Sequence, residues 1–443
     1  MKRVAWQIAS RITNKGFSKE YAELRKEPMY ESYLIRLLRH AHDNAPYYTE
    51  ILGRAGVVNS KEVNLSRFSE IPMLTKEIIR KHFDRLVSKD YTHRKRYYNS
   101  SGGSTGEPTR FIQDSLYDKW GNATSYYYYK DILGIELDSC KKVILWGSER
   151  DLFTGSMGWK ARFANWVTNT LPLNSFVMMK ESMQRYVETI NSYKPDLIRG
   201  YASSLYELCN YVQKEKLRIH TPKVVISSAE KLTNEMRTRL EEVFGTKVYD
   251  FYGSRETSNI AGECREGPMH IFSFNNYVEI LDNQNLPVCE GQEGRVVITS
   301  LHNYSMPFIR YEIGDMAVQG PSKCTCGNPL PTLRKITGRV TNHFIREDGA
   351  LVSGAALTLT FNLKDWVKNF RIIQEDYSKV RILIVPEGDV IEYDQRDIEN
   401  KLRFIMGQDC QVFWEFVDEI PRTPQGKYLY TQSLISKHGK RNN

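Results

Sequence analysis

Ser100-Ser101-Gly102-Gly103-Ser104-Thr105-Gly106-Glu107-Pro108-Thr109 is a run of hydroxyls and glycines closed by Pro-Thr. Glycines let the backbone approach a polyphosphate closely, successive amide N–H groups can form an anion nest, and hydroxyls add donors. No Gly-Lys-Ser/Thr follows at the spacing of a Walker A loop. A flexible surface loop has the same composition, so the run alone leaves both readings open. Asp250-Phe251-Tyr252-Gly253-Ser254-Arg255-Glu256 sets an aromatic face, a glycine turn and a carboxylate together. A purine can stack on Tyr252, and Glu256 can hold Mg²⁺ against a phosphate oxygen. Asp315, closing Arg310-Tyr311-Glu312-Ile313-Gly314-Asp315, can accept both hydroxyls of a ribose. Near the end, Pro421-Arg422-Thr423-Pro424-Gln425-Gly426-Lys427 puts a lysine behind a glycine turn, where its charge can meet negative charge developing on a phosphoryl or carboxylate oxygen. Taken singly, each has a bland alternative: a strand-ending turn for the first, a solvated surface lysine for the last.

Of seven cysteines, Cys264, Cys324 and Cys326 stand out, because His270 follows the first by six positions and the other two form a C-x-C pair. Three thiolates and one imidazole suit a closed, tetrahedral, structural zinc site. C-x5-H with C-x-C is not a standard finger spacing, and chance occurrence is the competing account. Cys140, Cys209, Cys289 and Cys410 read as ordinary packing or surface thiols. A hydrolytic zinc enzyme is disfavoured, since there is no HExxH helix and four protein ligands close the metal to water.

The elements that must carry these residues follow from periodicity. Tyr33, Leu34, Leu37, Leu38 and Ala41 recur at helical spacing and stop before Pro46, predicting a helical N-terminal region over about 1–90. Strands are expected at 143–147, 196–201, 224–230 and 247–253, with helices at 181–193, 203–216 and 233–244 between them. Strand, helix, strand in this rhythm predicts parallel βαβ units, whose ligands sit at the strand C-termini. From about 275 the pattern becomes β-rich (278–282, 294–300, 307–318), an antiparallel or barrel-like subdomain. A new α+β pattern then opens near 342, with strands at 371–376, 379–386 and 412–417 and a helix at 395–406. The expected fold is α/β: a large N-terminal domain, 1–340, with mixed and parallel sheets and a β subdomain, and a small mobile C-terminal domain, 341–443.

Bulk composition narrows the function. In 443 residues, a hydrophobic fraction of 41% and a charged fraction of 26% support a sizeable core. The net charge of +9 is spread out, giving no stripe or groove for nucleic acid. No apolar run reaches the length of a bilayer span, and the opening Val4, Trp6, Ile8 and Ile12 pattern is better used in packing than as an anchor, so a cytoplasmic location is expected. Seven cysteines without a secretion signal do not describe a disulfide scaffold.

The order of the pieces is more specific than any one of them. The hydroxyl-glycine loop, Ser228-Ala229-Glu230, the Tyr-Gly-Ser-Arg-Glu turn, Arg-Tyr-Glu-Ile-Gly-Asp, Gly338-Arg339 and the terminal Pro-Arg-Thr-Pro-Gln-Gly-Lys together resemble the adenylate-forming superfamily of acyl-CoA synthetases and adenylation domains. Residues 35–52, 71–83 and 299–315 resemble its phenylacetate-CoA ligase branch. The resemblance spans nearly the whole chain. It implies ATP-dependent activation of a carboxylic acid as an acyl-AMP, followed by acyl transfer. Ser101, Gly102, Gly103, Ser104, Thr105, Gly106 and Thr109 would bind the triphosphate. Ser228, Ala229 and Glu230, with Asp250, Phe251, Tyr252 and Gly253, would frame the adenine, Asp315 would hold the ribose and Glu256 would serve Mg²⁺. Arg339 would contact ribose or phosphate beside the hinge, and Lys427 would bridge the substrate carboxylate and the α-phosphate. Tyr126 to Tyr129, Trp146-Gly147-Ser148 and Arg199-Gly200-Tyr201 fall where the family lines its acid pocket.

Two departures bear on the acceptor. Thr341 and Asn342 stand where the family commonly has an Asp-Asp pair, and Glu347-Asp348-Gly349-Ala350-Leu351-Val352-Ser353-Gly354 replaces a Gly-Val-Asn-Val-Phe-Pro type segment. The latter resembles the CapK-like subgroup associated with polysaccharide assembly. The acceptor is therefore left open between the CoA thiol and an amine or amino sugar, as is a homodimer. A catalytically silent nucleotide-binding scaffold is the alternative; retention of Glu256, Asp315, Arg339 and Lys427 together argues against it.

Overall fold

A computed structural model of the chain describes residues 16–26, 30–59, 62–101, 109–137, 139–147, 163, 165–175, 178–230, 232–282, 284–337, 344–348, 351–352, 354–361, 364, 366–420 and 430–435. The chain divides into two compact units, one of residues 1–100, 109–139 and 249–339, the other of 101–108, 140–248 and 340–443.

The first unit opens with helices Ser18–Lys26, Glu31–Asn44 and Pro46–Arg54. Tyr33, Leu34, Leu37, Leu38 and Ala41 are all buried on one face of the second, as their spacing predicts. The helix stops at Asn44 with Ala45 extended, as the residue before a proline tends to be, and Pro46 takes the first position of the next helix, where its missing N–H costs nothing. A hairpin of Arg96–Ser100 and Arg110–Asp114, in antiparallel register with Ser100 opposite Arg110, leads into helix Ser115–Tyr127. Asp114 caps that helix, its Oδ1 accepting from the Leu116 and Tyr117 amides. Its Oδ2 accepts from the Ser305 amide at 3.0 Å and the Ser305 hydroxyl at 3.1 Å, so one buried carboxylate joins hairpin, helix and a loop 191 residues away. The helix ends in a π turn, Tyr128–Ile132.

Strands of this unit form an antiparallel run in the order Asn276–Leu281, Glu293–Ser300, Tyr311–Gln319, Thr332–Ile336, Met269–Ile271, Ser258–Glu263 and Val248–Ser254. Arg310 stands at its margin with φ +50° and a buried side chain. Its guanidinium forks onto Glu279 at 3.1 Å twice and donates to the Ser69 and Ile71 carbonyls at 2.6 and 2.7 Å, tying the N-terminal region to the sheet. Burial pushes the Glu279 carboxyl above its ordinary range, and the Arg310 charge pulls it back in part.

In the second unit four parallel strands lie in the order Val224–Ser228, Leu197–Tyr201, Lys142–Leu145, Thr170–Leu173. All five residues of the first of these are buried, as a parallel strand covered on both faces requires. Helices Lys180–Tyr193, Ala202–Lys214 and Asn234–Phe244 alternate with the strands. The last begins with Thr233 accepting from Met236 N–H and ends on Gly245 at φ +65°, where a left-handed cap favours glycine.

The C-terminal stretch adds a four-stranded sheet, ordered Gln411–Phe416, Lys379–Pro386, Val367–Asp376, Thr431–Ser433, with helix Glu392–Met406. Phe370, Ile372, Val380, Ile382 and Ile384 meet Ile398, Leu402 and Ile405 in one buried cluster. Burying each such side chain stabilises by roughly 1.5–3 kcal/mol. Among the described residues no helix is long and apolar enough to cross a membrane. The fold is thus α/β, with the parallel and antiparallel portions and the α+β C-terminal stretch that the periodicity predicts.

Candidate functional site

Strand Val248–Ser254 carries the Asp-Phe-Tyr-Gly run, and pleating divides it. Phe251 turns into the core at 2% exposure, against Tyr128 and Phe272, so only its backbone is available to a ligand. Tyr252 points the other way and donates its hydroxyl to Asp315 Oδ2 at 2.8 Å. Two residues 63 apart, one expected at a base and one at a ribose, are thereby brought together although their strands lie four places apart in the sheet order. Gly253 lies so close to its partner strand that a Cβ would sit 2.9 Å from the Ser258 carbonyl oxygen.

The following turn is held firmly. Gln113 Nε2 and the Tyr117 hydroxyl both donate to the Arg255 carbonyl, at 2.6 and 2.7 Å. Glu256 is 8% exposed, with the Tyr311 hydroxyl 3.5 Å from its Oε1. A mostly buried carboxylate on a pinned turn suits a hard cation better than a solvated charge does. Gln113 and Tyr117 were not singled out from the sequence. Nothing local in the sequence announces that their side chains reach Arg255.

Ser101 and Thr109, the two ends of the hydroxyl-glycine run, are buried at 1% exposure each. Gly102, Gly103, Ser104, Thr105 and Gly106 lie outside the described residues, as do Arg339 and Lys427. In the second unit Ser228 ends its parallel strand and accepts from Arg199 Nη2 at 3.3 Å. Ala229 follows at φ +67°, and Glu230 Oε2 accepts the Ser203 amide at 3.0 Å, at the start of helix Ala202–Lys214. Trp146 and Tyr201 stack 4.1 Å apart at the C-terminal ends of neighbouring strands, with the Arg199 guanidinium 5.7 Å from the Trp146 ring. This is the end of a parallel sheet where ligands bind. A cavity of about 410 Å³ in the C-terminal stretch is lined by Arg346, Tyr377, Ser378 and Gly407 together with Glu347 and Asp348 of the departing segment, and by none of the residues expected at the nucleotide or the metal.

Cys264, His270, Cys324 and Cys326 converge: their ligand atoms all lie within 4.8 Å of one another. Cys264 Sγ is 3.6 Å from Cys324 Sγ, and His270 Nε2 is 3.1 Å from Cys326 Sγ. A zinc tetrahedron with ordinary bonds has edges of about 3.3–3.8 Å, so the set fits a metal with small adjustments. His270 Nδ1 lies 3.1 Å from the Leu330 carbonyl, which selects the tautomer protonated there and turns the Nε2 lone pair toward the thiols. Burial pushes the Cys264 thiol up to about 12, so a thiolate at this place needs a cation beside it. The ladder that pairs Thr332 with His270 and Leu333 with Met269 brings the two arms together.

Comparison with known proteins finds relatives along most of the chain. Residues 344–433 match the CapK C-terminal domain family. Over 431 residues the chain is 24% identical to Protein CapK of Staphylococcus aureus, covering 93% of this chain and 89% of that protein. It is 26% identical over 418 residues to the phenylacetate-coenzyme A ligase of Escherichia coli (strain K12), 88% of this chain and 90% of the relative. A crystal structure of 2-hydroxyisobutyryl-CoA ligase in complex with 2-HIB-AMP and CoA shares the fold, with TM-score 0.60 at 21% identity, covering 91% of this chain and 90% of the other. With the motifs in family order and relatives matched along most of its length, the chain is similar to the adenylate-forming superfamily of AMP-forming ligases, in the phenylacetate-CoA ligase branch.

Proposed function

We propose that this chain activates a carboxylic acid with MgATP as an acyl-AMP and passes the acyl group to an acceptor. The observation that carries the reading is the Tyr252–Asp315 hydrogen bond one turn from the buried Glu256: a base platform, a ribose acceptor and a cation ligand on one pinned edge. In the first half-reaction a carboxylate oxygen attacks the α-phosphorus, the bond to the β-phosphate oxygen breaks and pyrophosphate leaves. Ser101, Thr109 and the run between them hold the triphosphate, Glu256 serves Mg²⁺, Asp315 fixes the ribose, and Arg339 and Lys427 neutralise charge on the reacting oxygens. In the second, the acceptor attacks the acyl carbon and AMP leaves. Relatives named as CoA ligases favour a thiol acceptor, and the altered positions Thr341, Asn342 and 347–354 favour an amine or amino sugar. The likeness to CapK favours a place in capsule or exopolysaccharide assembly. Residues 341–443 act as the small lid domain, a division supported by the family match that begins at 344.

The test is ATP–pyrophosphate exchange across aryl, fatty, amino and uronic acids. Exchange supported by one class identifies the acid; MgATP binding without exchange for any acid favours the scaffold. Adding CoA or an amine and measuring AMP release then separates the acceptors.

The Cys/His set holds one structural Zn²⁺ in this reading. Metal analysis of the purified chain is expected to return one zinc per chain, and removing it with a chelator to lower Tm by about 10 °C, the scale of a few kcal/mol in a domain this large. Full stability after chelation would remove zinc from the fold.

A further inference from the structure

We infer that the Cys264/His270/Cys324/Cys326 centre is a clamp that positions the nucleotide edge of the first unit, and that Glu263 is the residue transmitting it. The inference rests on the adenylation and zinc readings above and adds a connection between them.

Glu263 directly precedes Cys264, and its carboxylate and its carbonyl are both engaged away from the centre. Its Oε2 takes the Asp250 amide N–H at 2.8 Å, on the strand that presents Tyr252. Its carbonyl takes the Tyr128 hydroxyl at 3.0 Å. Both arms of the centre grip the same helix end: Arg265 Nη2 donates to the Leu133 carbonyl at 2.6 Å, and Asn328 Nδ2 donates to the Tyr127 hydroxyl at 2.9 Å. At the other end of that helix, Tyr117 holds the carbonyl of Arg255, next to Glu256.

Between these ends there is little slack. Asn259 Nδ2 donates to the Gly121 carbonyl at 2.7 Å and the Ser125 hydroxyl at 2.9 Å. A Cβ on Gly121 would meet Ser258 Oγ at 2.6 Å, and one on Gly262 would meet the Tyr128 ring at 2.4 Å. Helix Ser115–Tyr127 and strand Ser258–Glu263 therefore form two rails fastened along their length, spanning about 20 Å from the centre to the Glu256 turn. The π turn at Tyr128–Ile132 is where the helix departs from regular geometry, at the residues the clamp holds. A metal binding the two arms fixes Cys264, hence Glu263, hence the Asp250 amide and the strand beside it. Packed elements of this kind shift as units when one end is released.

The test uses the full-length protein, with zinc content measured in every sample and MgATP affinity read by calorimetry. Glu263→Gln keeps the side chain's size and removes its charge. It is expected to raise the Kd for MgATP about tenfold, the scale of weakening a charge-assisted hydrogen bond to a neutral one, while zinc content and the KM for the acid stay unchanged. Stripping zinc from the parent is expected to raise that Kd by a similar factor, and stripping it from Glu263→Gln to add less than about twofold, since the two act through one connection. Tyr128→Phe, which loosens only the helix rail, gives a smaller rise in the same direction. An unchanged MgATP Kd in Glu263→Gln, fully additive effects, or a parallel rise in the acid KM overturns the clamp, as does a chain that binds no zinc. Failure of the adenylation reading shows separately, as exchange absent with every acid at normal MgATP binding.

Discussion

Lys427→Ala is expected to lower acid-dependent ATP–pyrophosphate exchange by roughly 10²–10³-fold, the cost of removing one preorganised group from developing charge in a transition state. The reacting oxygens carry most negative charge midway through adenylation, so a cation aimed at them stabilises that state more than the bound substrates. The loss should therefore fall on the turnover rate, with MgATP affinity little changed. Lys427→Arg keeps the charge but spreads it over a planar fork, and is expected to recover only part of the rate. Single-turnover formation of acyl-AMP by rapid quench, beside MgATP binding by calorimetry, separates the two effects. Exchange within about threefold of the parent would place the lysine outside the reaction.

Arg310→Met is expected to cost roughly 3–5 kcal/mol of stability, because it leaves Glu279 buried without its counter-charge. The pair is nearly dry, with side-chain exposures of 3% and 11%, and the same guanidinium satisfies the carbonyls of Ser69 and Ile71. The pH dependence has a definite sign. Glu279 already has its carboxyl raised from 4.5 by burial, against the pull of Arg310; without the arginine it rises further. A carboxyl whose folded value lies above its unfolded one binds more protons in the native state, so its contribution is fully present below the unfolded value and is lost as pH rises through the folded one. The deficit of Arg310→Met should thus be smallest near pH 4.5, grow toward neutrality and then level off. Adding Glu279→Gln should recover much of it at pH 7. Guanidinium titrations at several pH values read both outcomes, and a deficit independent of pH would mean Glu279 stays ionised without its partner.

Most secondary structure could be read directly. Burial forces apolar residues into the period of the element that carries them, so Tyr33 to Ala41 announce a helix and the Val-Val-Ile run at 224–226 a covered parallel strand. The expected strand at 379–386 and the helices near 181–193 and 233–244 agree with Lys379–Pro386, Lys180–Tyr193 and Asn234–Phe244 to within about a residue. Backbone geometry sets these periods, and they need only neighbours along the chain.

Side-chain identity also named candidates: Glu256, Asp315, Tyr252, and the three cysteines with His270 are chemically conspicuous wherever they lie. Their association was decided by tertiary structure. Tertiary folding brings Tyr252 to Asp315 from strands four places apart in the sheet, and the ladder between Met269–Ile271 and Thr332–Ile336 closes the Cys/His set. Pleating turns Phe251 into the core while its neighbour Tyr252 reaches Asp315, a distinction that depends on which face the rest of the protein covers. Gln113, Tyr117 and Glu263 were illegible for the same reason. Each is an ordinary polar residue whose work is a hydrogen bond to backbone 142, 138 or 13 residues away, and no local pattern records a partner that only folding supplies.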